Sequence, residues 1–394
     1  MQMSAYRARA QEYATALGGA HHRYFAGLDQ SWDPAAIHAA HADCWSVQAV
    51  EALGERAATG NVGARRLWRF AVTARLRALT APHDDERSRR AASGGLPALT
   101  ADLAVETDVL ERARIEQRRL ELTTETLSPS AGAALEVIRS ETRRLGWPSY
   151  RALWTAMTGI DLGGLARRAE ALLRDEDPPD LGDAYTRADV PRWHRAIWAD
   201  QAFPSHALLP SLRSALVEHG TDPDDPGFTI DVAARPGKSS RAFCAAVRVP
   251  GDIHLVVGPT GGIQDAEALF HEAGHAVLLA GRDARWRFEE RHLLPPHVAE
   301  AAAFAFERRV PDHGQERIAA HLATSRVLRR RRMAARLLHE LDLLDHGPVQ
   351  DLRERYARRM ARATGLDWPG APWLTDADAL LGSADYVRAD EIAG

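Results

Sequence analysis

The chain has 394 residues, 45% hydrophobic and 26% charged, the proportions of a soluble globular protein long enough to bury a sizeable core. Its formal net charge of −4 excludes a global electrostatic pull towards nucleic acid or anionic membrane. The two cysteines, Cys44 and Cys244, stand far apart and in no CxxC pattern, which argues against a disulfide scaffold and a cysteine-based zinc site.

From the N-terminus, Met1 to Gly18 reads as an alanine-rich helix carrying Arg7, Arg9 and Glu12, without the uninterrupted apolar core of a signal peptide. No stretch approaches the ~18 consecutive apolar residues of a membrane span. The expectation is a cytoplasmic protein with neither membrane nor nucleic-acid partners, and the oligomeric state stays open. His21-His22 and His38/His41 have no accompanying carboxylate spacing, so they read as solvent-exposed histidines rather than a second metal site.

Alanine, leucine, arginine and glutamate dominate the next two hundred residues, with apolar positions at three- and four-residue intervals. Leu165, Ala169, Leu172 and Leu173 form one such stripe. Glycine and proline interrupt the helices at Ser93–Pro97, Asp177–Asp180 and Gly220–Pro226. The last interruption suggests two parts, a helical N-terminal lobe over 1–220 and a catalytic lobe over 221–394.

Between Phe228 and Val257 the period changes from helical to alternating. Phe228, Ile230 and Val232 alternate with Thr229 and Asp231, and Ile253, Leu255 and Val257 follow the same rhythm. Val249-Pro250-Gly251-Asp252 between them suggests a type II turn. The pattern predicts a small antiparallel sheet of about three strands inside a mainly α protein. Gly261-Gly262 then leads into a helix from Asp265 to Ala280, closed by Gly281. Pro295-Pro296 starts a second helix over roughly His297 to Arg309.

Residues 271–275 of the first of these helices read His-Glu-Ala-Gly-His. Positions i and i+4 share one helix face, so His271 and His275 can reach a single ion. Glu272 lies about 100° round the helix, out of reach of the ion but near water bound to it, where it can serve as general base and then acid. A catalytic zinc site needs a third protein ligand. The longer HExxHxxGxxH pattern fails, because Leu278 and Gly281 stand where its glycine and third histidine belong. Glu300 is the favoured candidate, since a carboxylate beside Ala301 to Phe306 is costly to bury unless paired or metal-bound. Glu289 and Glu290 compete with it, but Arg287 and Arg291 mark their surroundings as an exposed charged stretch.

At these residues the sequence resembles a known family. Arg235-Pro236-Gly237-Lys238, Arg241-Ala242-Phe243-Cys244 and Asp265 to His275 resemble the M3 zinc metallopeptidases, which include the oligoendopeptidases F and thimet oligopeptidases. The likeness covers about residues 145–394. It implies a two-lobed helical fold around a deep channel, one zinc ion held by His271, His275 and Glu300, and short peptides as substrates. Glu307, seven residues after Glu300, matches a second glutamate of the family. Arg241 to Val247 and Asp252 to Val257 are the candidates for an edge strand that holds an extended peptide.

The resemblance makes Tyr386 the candidate oxyanion donor, while Gly382 and Asp390 replace the family's upstream tyrosine and its tryptophan. Asp265, one to two turns before His271, is a candidate for orienting a ligand. His292 and His297, in the segment leading to Glu300, are candidates for lining the pocket. The alternatives to a general peptidase are an enzyme repurposed for one small amide or modified peptide, and a non-catalytic peptide-binding scaffold. The run Arg329 to Arg332, inside a helix over Val327 to Leu344, reads as a solvated face balanced by Glu340, Asp342 and Asp345.

Overall fold

The computed structural model describes residues 1–258 and 260–394. It is mainly α-helical. The elements used below are α1 (Met3–Phe25), α2 (Val109–Leu122), α3 (Leu162–Asp175), β1 (Phe228–Asp231), β2 (Phe243–Arg248), β3 (Asp252–Val256), α4 (Ile263–Ala280), α5 (Pro296–Glu307), α6 (Glu316–His346), α7 (Asp351–Thr364) and α8 (Gly382–Ala393). No helix among the described residues is long and apolar enough to cross a membrane.

The chain forms two compact units, each built from separated stretches. One comprises Met1–Ala78, Trp198–Pro311 and Ala389–Gly394; the other comprises Leu79–Ile197 and Asp312–Arg388. The single cut expected near residue 220 is therefore not the division observed. Its cause is long-range: α1 packs against β2, which commits the N-terminus to the unit that holds the sheet.

In the first unit the strands run in the order β1-β3-β2. β2 pairs antiparallel with β3, but β1 pairs parallel with it, Phe228 opposite Ile253 and Asp231 opposite Val256. The sheet is mixed rather than antiparallel, because a crossover lies between β1 and β3 that strand periodicity does not record. β3, offered from sequence as an edge, is the central strand. The Val249–Pro250 peptide is cis, and Gly251 takes the positive φ (99°) that the third position of a type II turn requires.

α1 lies along β2, and Gly18 permits it: a Cβ there would collide with the carbonyl oxygen of Ala246. The neighbouring histidines are packed, not solvated. His21 sits among Phe25, Phe243 and Trp32, with ring centroids 4.6, 5.4 and 5.9 Å away. His22 stacks on His254 of β3 at 3.7 Å, and His254 Nε2 is 2.9 Å from Asp252 Oδ1. Burial and the neighbouring His254 push the His22 imidazole down to about 4. His38 is also buried, its Nδ1 2.6 Å from the hydroxyl of Tyr13. Each of these histidines carries enough apolar ring surface to serve as packing once an aromatic partner is at hand.

The second unit is mainly helical, with one isolated parallel bridge between Thr186 and Asp367. α3 starts at an Asp161 cap, whose carboxylate accepts from Gly164 N at 2.8 Å, and buries Leu162, Leu165, Ala169 and Leu173 as its stripe requires. Arg331, inside the four-arginine run, is fully buried. None of the other three is fully exposed. The run is therefore not a solvated face, because α6 packs it against α3 and α7.

Candidate metal centre

α4 begins after Gly261 and Gly262, both at positive φ (96° and 95°), a backbone region open to glycine and costly for other residues. The helix starts at Ile263, two residues earlier than the periodicity indicates, and runs to Ala280. α5 starts at Pro296, where the fixed φ of proline suits the first helical position and its missing N–H costs nothing.

The two helices approach closely because Gly274 carries no side chain. A Cβ there would lie 2.6 Å from Cα of Ala303 and 2.9 Å from Cβ of Phe306. Ala301 and Ala303 are small and buried on the facing side. Gly274→Ala would gain up to ~1 kcal/mol in helix propensity, but the clash costs ~1–3 kcal/mol, so steric overlap wins. The variant should bind zinc more weakly than the wild type, measured by metal titration against a chromophoric chelator. Unchanged affinity would mean that the close approach does not set the ligand geometry.

Across this contact the donors converge. One ligand atom each from His271, His275 and Glu300 lie within 4.8 Å of one another. Glu300 Oε2 is 3.4 Å from His271 Nε2, and Glu300 Oε1 is 3.7 Å from His275 Nε2. These are ion-pair separations without hydrogen-bond geometry: Glu300 Oε2 is sealed from solvent and has no hydrogen-bond partner. Two turns further along α5, buried Glu307 places Oε2 3.1 Å from His271 Nδ1, on the opposite side of that imidazole. Burial pulls the His271 imidazole down, but Glu300 and Glu307 outweigh it and hold it at about 9. Burial lowers His275. The set calls for a positive charge among its ligand atoms, and two imidazoles plus one carboxylate suit zinc.

Glu272 points from α4 towards the sheet. Its Oε2 accepts a hydrogen bond from the backbone N–H of Cys244 at 2.9 Å. That amide is not spent on β3, because β2 is an edge strand and Cys244 N faces outward. Burial raises the Glu272 carboxyl, while His271, the Cys244 amide and Arg241 oppose the shift. The role of a backbone amide leaves no trace in residue identity, and sequence reading missed it. Gly274 was legible as the glycine inside His-Glu-Ala-Gly-His, but its reason was not.

The remaining candidates fall elsewhere. Asp265 is committed to the loop before α4, its Oδ2 accepting from Thr260 N and Gly261 N at 2.7 and 3.0 Å; a carboxylate in the first turn of a helix meets nearby loop amides first. It orients the loop, not a metal ligand. Arg241 is exposed just before β2 and acts on Glu272 through its charge. His292 stacks on Phe288 at 5.3 Å, and burial pushes it down to about 4. His297 is half-buried in the first turn of α5. Tyr386 is half-buried on α8, in the second unit.

Glu289 is buried, not part of an exposed stretch. Arg7 Nε lies 3.0 and 2.9 Å from its two carboxylate oxygens and Nη2 2.7 Å from Oε1, so it is paired. Glu290 accepts from Arg287 N at 3.1 Å.

No protein-family model matches the sequence, and no curated protein matches it. Among solved structures, an X-ray structure named "putative Oligoendopeptidase F" is similar over 97% of this chain and 77% of its own, with a TM-score of 0.55 and 15% identity. The likeness is one of fold. The mainly α architecture with a small sheet expected from the sequence is the architecture observed, and it is similar to the fold of that structure.

Proposed function

We propose that the chain is a zinc-dependent metallopeptidase acting on short peptides. The observation that carries this reading is the convergence of His271, His275 and Glu300, three donors from two helices, the number of protein ligands that a catalytic zinc site uses. A bound zinc ion supplies Lewis acidity and brings the pKa of water at its open position to about 7.

The protein groups then divide the work. Glu307 holds His271 by Nδ1, which fixes the ring and leaves Nε2 for the metal. Glu272, tethered by the Cys244 amide, takes the proton of the attacking water and returns it to the leaving nitrogen. Tyr386 is the candidate donor to the developing oxyanion. The same constellation in a fold like that of an oligoendopeptidase supports peptides as the substrate class.

A second reading keeps the zinc and narrows the substrate to one small amide or modified peptide. Gly382, where the resembling family carries a tyrosine, favours it: the carboxylate of Asp378 fills the place a Cβ would take.

Elemental analysis of the purified protein and hydrolysis of a mixed peptide pool test both readings. About one zinc per chain with chelator-sensitive cleavage of many peptides is the expected result. Zinc without turnover of the pool would favour the narrower substrate, and a protein that takes up no zinc would overturn both.

A further inference from the structure

Away from the metal ligands, the second unit gathers four arginines beside Glu116, Glu340, Asp376 and Asp378, and the direct pairing among them is incomplete. Arg119 on α2, Arg187 in the turn Arg187–Asp189, and Arg332 and Arg336 one turn apart on α6 surround one indole and one carboxylate. Arg187 and Arg332 both lie over Trp368, 5.5 and 5.2 Å from its ring centroid. The platform is fixed from below: Trp368 Nε1 donates to Tyr356 Oη at 3.0 Å, and that hydroxyl donates to Asp376 Oδ2 at 2.6 Å.

The pairing is uneven. Arg119 and Arg187 share Glu116. Arg336 stands 3.8 Å from Glu340. Glu340 Oε1 already accepts from Ser383 Oγ and Asp378 N at 2.7 and 2.9 Å, and burial pushes that carboxyl up to about 8. Arg332 makes no hydrogen bond or ion pair with any described residue; its contact is the face of Trp368. Its Nε, and those of Arg119 and Arg336, are sealed from solvent without a partner.

Arg331 is the internal comparison. One residue away on the same helix, it spends its donors on four backbone carbonyls. A buried guanidinium is costly unless something compensates it, and at Arg331 the protein does so. At Arg332 the charge of Asp376 helps, but no acceptor takes its N–H groups. Stacking on an indole occupies the face of a guanidinium and leaves its in-plane N–H groups for a forked acceptor. The cluster is also reachable, since the Arg119, Arg187 and Arg336 side chains keep 13%, 17% and 23% of their surface exposed.

We propose that this cluster binds a small oxyanion, a carboxylate or a phosphate, which Arg332 receives beside Trp368 with Arg336 and Arg187 flanking it. The ligand supplies the hydrogen-bond acceptors that Arg332 lacks, so its binding stabilises the folded state by mass action. The inference stands independently of the metal centre, because no residue of the cluster is a metal ligand.

Thermal unfolding in sodium phosphate and in sodium acetate, each against sodium chloride at equal ionic strength, tests it. The wild-type protein should gain in Tm with increasing oxyanion until saturation. A gain with phosphate alone identifies a phosphate group as the ligand, and a gain with acetate identifies a carboxylate. Arg332→Gln should lose the increment, whereas Arg285→Gln, at an arginine 88% exposed in the first unit, should keep it. Arg332→Lys, which retains charge without the fork, should bind at least about tenfold more weakly by isothermal titration. That comparison decides the matter should Arg332→Gln fail to fold. No increment with either oxyanion, the same increment in Arg332→Gln, or undiminished affinity in Arg332→Lys would overturn the proposal.

Discussion

Glu272→Gln should lower kcat for peptide hydrolysis by roughly 10²–10⁴-fold while the protein still holds its zinc. Glutamine keeps the length and shape of the side chain, and its amide oxygen can still accept the Cys244 N–H that holds Glu272 Oε2 at 2.9 Å. What it loses is the capacity to take a proton. Glu300→Gln should behave in the opposite order. Glu300 Oε2 is buried without a hydrogen-bond partner, so its negative charge is what the ion would neutralise; removing that charge should empty the site before it alters any chemical step. Zinc content and kcat measured together on the two variants separate a proton carrier from a ligand. A Glu272→Gln protein with full activity and full zinc would sink the assignment of the base.

The parts of this molecule legible in its sequence are those whose cause is local. His271 and His275 share a face because a helix repeats every 3.6 residues, and nothing distant is needed to know it. Glu300 was legible for a related reason: a carboxylate amid Ala301, Ala303, Phe304 and Phe306, all now seen to be buried, needs a partner wherever the helix packs. The strands were legible from alternation, their order was not. Whether β3 is central and whether β1 runs parallel to it depend on the path of the chain between Asp231 and Asp252, which leaves no mark on the pattern of side chains. The histidines of α1 and the arginines of α6 misled for one shared reason. A charge or an imidazole looks solvated in sequence, and becomes packed only when an aromatic ring or a set of carbonyls arrives from another element. Asp265 shows the converse, a residue well spaced to assist a ligand but taken first by the amides of its own loop.

Arg331→Met should destabilise the second unit by about 4 kcal/mol, an effect larger than any exposed ion pair of the protein would produce. The guanidinium is fully buried. Its Nε donates to Ala363 O at 2.9 Å and Nη2 to Arg362 O at 3.0 Å, in the last turn of α7. Nη1 donates to Leu172 O at 3.1 Å and Glu176 O at 2.9 Å, at the end of α3. Both sets of carbonyls belong to helix C-termini, where the backbone runs out of its own donors and the helix dipole is negative. One side chain thus closes two helix ends onto α6. Methionine fills much of the volume, so the cavity contribution stays small. The loss comes from the carbonyls of Arg362, Ala363 and Glu176, left dry and unpaired at about 1–3 kcal/mol each and reduced below their sum as the ends relax, while Leu172 O keeps the Glu176 N–H at 3.3 Å. Lysine restores charge but presents a single point donor to an array spread over two helices, so Arg331→Lys should recover only part of the loss. Neither deficit should depend strongly on salt, because the partners are dipoles and not ions. Calorimetry should show the transition of Arg331→Met about 10 °C lower, with zinc uptake at His271, His275 and Glu300 retained below it. A shift of less than about 2 °C would show that water reaches those carbonyls, and that Arg331 does not tie the two helix ends together.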